Sequence, residues 1–379
     1  MTAKSREFQI FAKPVGAACN LKCSYCYYRS RTKLHGENES PVMSSEILER
    51  YIIRHIEAST EKEIMFSWHG GEPMMAGIDF YRTVTGIQKK HLPSGRVLMN
   101  GIQTNGTLIN EEWCSFFARE NFIVGISIDG PGELHNSTRR SIGGQPTLNR
   151  VLSGHNLLRK HRIPTEILCV VSARNVNYAL VVYNFFKQLG VRYVTFLPLV
   201  NRDDAAENGV TGESVDPQGF GRFLSEIFDE WMKKDIGTIK IQIFEEAIRS
   251  AFNQEHALCV FREKCGGVPV IESNGDFYSC DHYVDTEHLI GNICRGSISS
   301  FLDSKRQHEF GAAKLTSLPG MCLNCEVRPM CNGECPRNRF IKTPDGEAGL
   351  NYLCEGYRYF FNHIKPFTEA IAEVYRGGE

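Results

Sequence analysis

The chain has 379 residues, 42% of them hydrophobic and 23% charged, with a formal net charge of −1. That balance suits a globular protein with a sizeable core and gives no electrostatic case for nucleic acid or an anionic membrane as partner. Residues 1–8 lack the apolar core of a signal peptide, and no apolar run approaches the ~20 residues that span a bilayer, so a cytoplasmic protein is expected.

Taken in order, apolar β-rich runs at 8–12, 63–68, 97–103, 122–128, 166–171 and 193–197 read as strands. Their mostly continuous apolar character suits parallel strands buried on both faces. Helix-like segments lie between them at 44–58, 79–90, 110–120, 147–161 and 178–189. Ser44 is placed to cap the first, Glu46 puts a negative charge in its first turn, and Gly190 falls where a C-terminal cap glycine belongs. Strands alternating with helices predict a parallel α/β fold. Short polar or glycine-containing segments follow the first four strands: the cysteine loop 19–26, His69-Gly70-Gly71-Glu72-Pro73, Thr104-Asn105-Gly106-Thr107 and Asp129-Gly130-Pro131. Loops that collect after strand ends are where a barrel builds its active site, which favours a partial (β/α)6, TIM-like barrel over a doubly wound sheet.

Residues 201–217 are polar, carry two glycines and read as a surface loop; helices are expected at 218–234 and 243–253. Short runs, turns and cysteines then take over, so the barrel is assigned to 1–240 and a cysteine-rich domain to 241–379. Within the latter, Ser273-Asn274-Gly275-Asp276 centres a hairpin over 268–279, and 354–375 is expected to be an amphipathic helix. There is no internal repeat or low-complexity tract.

In a reducing compartment 14 cysteines point to metal rather than disulfides. Cys19, Cys23 and Cys26 are spaced C-x3-C-x2-C. Three thiolates do not close a tetrahedral site, whereas on a four-iron cube they leave one iron open; a zinc knuckle with a fourth ligand from elsewhere is the alternative. Near the C-terminus stand Cys259, Cys265 and Cys280, then Cys322-x2-Cys325-x5-Cys331-x3-Cys335 and Cys354. Eight thiols are enough for two fully ligated 4Fe–4S clusters or for two zinc sites. Cys114 and Cys169 read as small core residues, and Cys294 fits no ligand spacing. Asp281, directly after Cys280, could accept a proton, or could simply bond backbone amides as loop aspartates commonly do.

The C-x3-C-x2-C loop, with Tyr25 before its third cysteine and the Gly70-Gly71-Glu72-Pro73 turn one strand later, resembles the radical S-adenosylmethionine (SAM) enzymes. The resemblance implies that SAM chelates the open iron, its amino group on the Gly70-Gly71 backbone, with further contacts at Ser127, Arg139 and Val200. The C-terminal spacing resembles the SPASM extension of peptide-modifying members. This implies Cys259, Cys265, Cys280 and Cys335 on one cluster and Cys322, Cys325, Cys331 and Cys354 on another, three 4Fe–4S clusters in all. Ser67–Pro73, Gln103–Leu108, Ser127–Pro131 and Asn274–His282 sharpen the resemblance to anaerobic sulfatase-maturating enzymes, over about 8–359.

Membership would imply oxidation of a cysteine or serine in a sulfatase polypeptide to Cα-formylglycine. A 5′-deoxyadenosyl radical would take a hydrogen from Cβ, Asp281 would accept the proton, and the auxiliary clusters would take the electron. An external donor such as flavodoxin or ferredoxin would be needed. A peptide maturase forming thioether or carbon–carbon crosslinks would share every cluster ligand. A zinc-stabilised binding protein and an electron-transfer protein are the non-catalytic alternatives. The resemblance leaves His69 without a role, and Tyr28 reads either as a pocket wall or as an ordinary buried aromatic.

Overall fold

A computed structural model describes residues 8–34 and 42–377. They fall into two compact units. The first comprises the described residues up to Ser127 together with Arg139–Thr165 and Gly266–Gly311; the second comprises Ile128–Thr138, Glu166–Cys265 and the chain from Ala312 onward.

In the first unit, β1 (Phe11–Ala12), β2 (Glu63–Trp68), β3 (Val97–Thr104) and β4 (Phe122–Ser127) pair in parallel in that order. On its other edge β1 pairs in parallel with β8 (Val270–Ile271), which continues antiparallel through β9 (Asp276–Tyr278) to β10 (Leu289–Asn292). Helices Ser45–Ala58, Ile78–His91, Glu111–Arg119 and Leu148–Lys160 follow the predicted pattern. Ser44 caps the first, its hydroxyl accepting from the Ile47 amide at 3.3 Å. That helix buries Leu48, Tyr51, Ile52, His55 and Ile56, the stripe its spacing dictates, and His55 stacks on Phe66 of β2 at 4.2 Å.

The buried amides of Gln88 and Asn100 are paired, as a dry interior favours. Trp68 Nε1 donates to Asn100 Oδ1 at 2.9 Å, and Asn100 and Gln88 exchange two amide bonds at 2.9 and 3.0 Å. Gly275 closes the expected hairpin at φ +85°, with Ile293 Cγ2 only 2.9 Å from where a Cβ would sit.

In the second unit, β5 (Thr165–Val171), β6 (Tyr193–Pro198) and β7 (Lys240–Ile241) pair in parallel, with helices Ala179–Gln188, Pro217–Lys234, Gln242–Ala251 and Cys354–Gly377. Cys354–Gly377 packs on Pro217–Lys234 at backbone contact: a Cβ on Gly356 would lie 2.0 Å from the Pro217 carbonyl oxygen. Residues 201–217 close on themselves through Asp203 N–H to Gly209 O at 2.9 Å and Thr211 N–H to Asn201 O at 2.9 Å.

The parallel α/β class is therefore the predicted one, and each of the six predicted strands is present. The first is shorter than 8–12, although hydrogen bonds from Gln9, Phe11 and Lys13 to Gly267, Pro269 and Ile271 extend its pairing. Strands β7 and β10, helices Ile298–Leu302 and Lys305–Thr316, and a 3-10 helix at Tyr27–Leu34 had no clear sequence signal. Each is short or weakly periodic and is held by its neighbours. Among the described residues, no helix is long and apolar enough to cross a membrane.

Burial pushes His55 down to about 3. The unfolded chain then takes up a proton below its ordinary value near 6.5 while the folded chain does not, so stability is lost as pH falls from about 6.5 towards 3, by up to ~1.4 kcal/mol per pH unit. Urea midpoints at pH 7 and pH 5 should converge in His55→Phe relative to the parent; an unchanged gap would assign the acid sensitivity to other groups.

Candidate active site

The cysteine loop leaves β1 and packs against the turn after β2. Gly71 N–H donates to Gly16 O and Glu72 N–H to Ala18 O, both at 2.8 Å. A Cβ on Gly71 would stand 2.1 Å from the Ala18 carbonyl oxygen and 2.6 Å from that of Ala17; Gly70, at φ +130°, would place one 2.9 Å from Gly16 O. Only glycine permits this approach. Glu72, which the sequence shows only as part of a turn, is fully buried. Its carboxylate accepts from Thr104 Oγ1 (2.8 Å), the Asn105 amide (2.8 Å) and the Met74 amide (3.1 Å). Burial raises its carboxyl to about 7 against those hydrogen bonds.

Asn105 then reaches the cysteine loop, donating to Asn20 Oδ1 at 2.8 Å and lying 3.8 Å from Cys19 Sγ. The first three predicted post-strand loops therefore converge on one place. Cys23 is buried, and Cys19 and Cys26 are half-buried. Burial pushes the Cys19 thiol up to about 11, the Leu21 amide opposes this, and Glu72, Cys23 and Cys26 add to it. Three thiols gathered on one short, poorly solvated loop are a donor set that a cation such as a four-iron core satisfies.

Of the residues expected to touch SAM, Arg139 and Tyr25 meet directly: both are buried, and Arg139 Nη1 donates to the Tyr25 hydroxyl at 2.6 Å. Ser127, the last residue of β4, accepts from Gln103 Nε2 at 3.2 Å. Val200 follows β6 in the second unit and is buried there.

Asp281 lies in the first unit and is tied to residues some 250 positions earlier. Lys13 Nζ stands 2.5 Å from its Oδ1, with the two side chains 2% and 12% exposed. Tyr27, one residue past Cys26, donates its hydroxyl to Asp281 Oδ2, and Arg31 donates to the carbonyls of Asp281 (3.0 Å) and His282 (2.7 Å). Burial would raise the Asp281 carboxyl, but Lys13 outweighs it with help from His282 and Tyr27, holding the group well below the usual carboxylate range. The same ammonium lies 4.5 Å from the centre of the Tyr28 ring, and Tyr28 donates its hydroxyl to Glu272. Burial, Glu272 and Asp281 hold the Tyr28 phenol protonated. His69 stacks on Phe11 at 3.9 Å; loss of water and the Lys13 charge push it down to about 3, so it is neutral.

Lys13, Tyr27, Arg31 and Glu272 went unrecognised in the sequence. The one available signal was Lys13 itself, a cation at the end of an apolar strand.

In the second unit Cys322, Cys325, Cys331 and Cys354 line one small cavity with Arg358 and Asn351. Burial raises Cys354 to about 11, and Cys322 and Cys325 add to the shift, so these thiols share one electrostatic site. Cys259, raised to about 11 by burial and by Cys265, is partnered with that residue. Cys335 is buried in the same unit, whereas Cys280 belongs to the first. Among the described residues no three His, Cys, Asp or Glu side chains surround a common single-ion position. Cys114 and Cys169 are fully buried and Cys294 is exposed.

The family models for the radical SAM superfamily and for an iron–sulfur cluster-binding (SPASM) domain match residues 14–176 and 259–326. A serine-type anaerobic sulfatase-maturating enzyme of Bacteroides thetaiotaomicron is 42% identical over 96% of this chain and 91% of its own length. The chain belongs to the anaerobic sulfatase-maturating enzymes. A cysteine-type anaerobic sulfatase-maturating enzyme of Clostridium perfringens (strain 13 / Type A) is 30% identical over 94% of this chain and 96% of its own. The solved structure of native anSMEcpe with bound AdoMet and the Kp18Cys peptide superposes with a TM-score of 0.87 at 30% identity, covering 97% of this chain and 99% of that one. As an anaerobic sulfatase-maturating enzyme, the protein is a radical SAM enzyme with a SPASM iron–sulfur domain, in the parallel α/β fold class expected from the sequence.

In this enzyme the contact at Gly71 leaves no room for a methyl group. Gly71→Ala should displace the cysteine loop, lower SAM cleavage at least tenfold and reduce the iron bound per chain. A variant with full iron and unchanged cleavage would show that the loop does not depend on that contact.

Proposed function

We propose that this enzyme oxidises a seryl or cysteinyl side chain in a sulfatase-derived peptide to Cα-formylglycine. The observation that carries the reading is the Lys13–Asp281–Tyr27 arrangement: it places a buried, ionised carboxylate one side chain away from the residue that follows Cys26. We assign Cys19, Cys23 and Cys26 to a first 4Fe–4S cluster. Cys259, Cys265, Cys280 and Cys335, and Cys322, Cys325, Cys331 and Cys354, are assigned to two more, with the barrel region ending near 240 and the cysteine-rich region beginning at 241. With these groups bound, the first cluster and SAM supply a hydrogen-abstracting radical, and the other two supply an electron sink.

The chain's own residues do the rest. Arg139, oriented by Tyr25, offers a fixed guanidinium to the SAM carboxylate. The SAM ammonium needs acceptors, which the carbonyls of the Gly70-Gly71 turn provide; Ser127 and Val200 complete the cofactor contacts. The oxidation takes one hydrogen atom from Cβ, one proton from the substrate hydroxyl or thiol and one electron; serine gives the aldehyde directly, whereas cysteine gives a thioaldehyde that water converts to the aldehyde with release of hydrogen sulfide. Asp281 accepts the proton. Lys13 keeps it ionised, in the accepting form, at neutral pH. That pairing lowers its basicity, and the proton still transfers because a hydroxyl or thiol beside a carbon radical is more acidic than the parent group.

The greater identity is with the serine-type relative, so a serine peptide is the first substrate to test. A low-potential donor such as flavodoxin or ferredoxin in a reducing cytoplasm would complete the system.

Asp281→Asn should keep its iron and still cleave SAM, while aldehyde formation falls about 100-fold or more. Peptide products should be read by mass spectrometry after trapping with a hydrazine, because formylglycine from serine and a crosslink both lose two hydrogens while only the aldehyde forms a hydrazone. Undiminished hydrazone yield would remove Asp281 as the proton acceptor; a crosslinked, untrapped product would favour a peptide maturase. Cys19→Ala should abolish SAM cleavage and lower iron from roughly twelve to about eight atoms per chain. Persistent cleavage would misplace the first cluster.

A further inference from the structure

A buried lysine and a half-buried arginine hold the turn that carries Cys259 and the turn between Cys331 and Cys335. Lys314 is 1% exposed, and its Nζ donates to the carbonyls of Cys259 at 2.9 Å and Val260 at 2.7 Å. Arg339 donates to the carbonyls of Gly333 (2.8 Å), Asn332 (2.9 Å), Glu334 (3.1 Å) and Lys314 (2.5 Å). Around the Cys259 and Cys265 thiols the nearby charges are Lys314, Arg339 and Arg262 against Glu334. Cations therefore outnumber acids where the proposed ligands stand.

Two carbonyl acceptors could be satisfied by a neutral amide at a smaller desolvation cost, so hydrogen bonding alone does not account for an ammonium in this place. What lysine adds is charge. A four-iron cluster held by four thiolates is a net anion and gains a further negative charge when reduced. A fixed cation in a dry setting favours that reduced state. From the geometry we infer that Lys314, supported by Arg339 and Arg262, sets the reduction potential of the auxiliary cluster to which Cys259 and Cys265 belong, making it the readier electron acceptor. The inference rests on the assignment of those two cysteines as ligands. Lys314 acts here as a positioning charge, outside the reacting atoms.

The test is an anaerobic redox titration of the reconstituted full chain, followed by electron paramagnetic resonance with iron counted in each sample. Lys314→Gln should retain its iron and shift one auxiliary midpoint to more negative potential, by roughly tenfold in the reduction equilibrium or ~59 mV for one electron. Lys314→Arg, which keeps the charge, should hold the parent midpoint, whereas a purely structural role for the hydrogen bonds would leave iron-replete Lys314→Gln at the parent midpoint as well. Arg262→Gln, at a half-buried position, should shift the same cluster in the same direction by less, and supplies the test if Lys314→Gln loses iron. Parent-like midpoints in iron-replete Lys314→Gln overturn the inference. So do parent-like midpoints in Arg262→Gln where Lys314→Gln loses iron, and so does failure of Lys314→Arg to hold the parent midpoint. Cys259→Ala with undiminished iron would instead overturn the ligand assignment beneath it.

Discussion

The first unit depends on a contact that forbids a side chain. The carbonyl oxygens of Ala17 and Ala18 occupy the volume that a Cβ on Gly71 would need. Because the turn after β2 and the loop after β1 meet backbone to backbone, the loop's position is set by main-chain hydrogen bonds rather than by adjustable side chains. Glu72 then ties the turn to Thr104 and Asn105, and Asn105 ties back to Asn20 and the neighbourhood of Cys19. Three consecutive post-strand loops become one rigid assembly. A site that must hold a cluster and a cofactor within a few tenths of an ångström gains from rigidity of this kind.

The second requirement is electrostatic. A carboxylate and an ammonium are both withdrawn from water at Asp281 and Lys13, which is costly unless each finds a partner of excellent geometry. They find one another, and Tyr27, Arg31 and the Tyr28 ring supply the remaining contacts. An apolar pair of similar volume would serve stability as well. Retention of the ionic pair in the same unit as Cys19, Cys23 and Cys26 is therefore better explained by chemistry than by folding.

The cysteine-rich region presents the inverse problem, with many potential anions gathered in a poorly solvated space. Cys322, Cys325, Cys331 and Cys354 line a single cavity where burial raises each thiol, and Lys314 and Arg339 stand among the Cys259, Cys265 and Cys322 thiols. Without a metal core those thiols remain protonated; with one, the fixed cations bias how readily it accepts an electron. Local charge thus links the proposed ligand sets to the direction of electron flow that an oxidation requires.

Period and spacing are local properties, and they made the α/β alternation and the hairpin at Gly275 legible in the linear chain. The helix-capping role of Ser44 and the burial of Cys114 and Cys169 were legible for the same reason. Short elements such as β7 and β10 were not, because two to four residues carry no period and are held only by the strands beside them. Nor was the partnership of Lys13 with Asp281, or of Lys314 with the Cys259 turn. Each joins residues 54 or more positions apart, and no local pattern encodes which distant charge will fill a buried position. The sequence alone determined where the spaced thiols and the carboxylate stand along the chain. The tertiary structure decided their charge states, because pairing β8 with β1 is what puts an ammonium against Asp281.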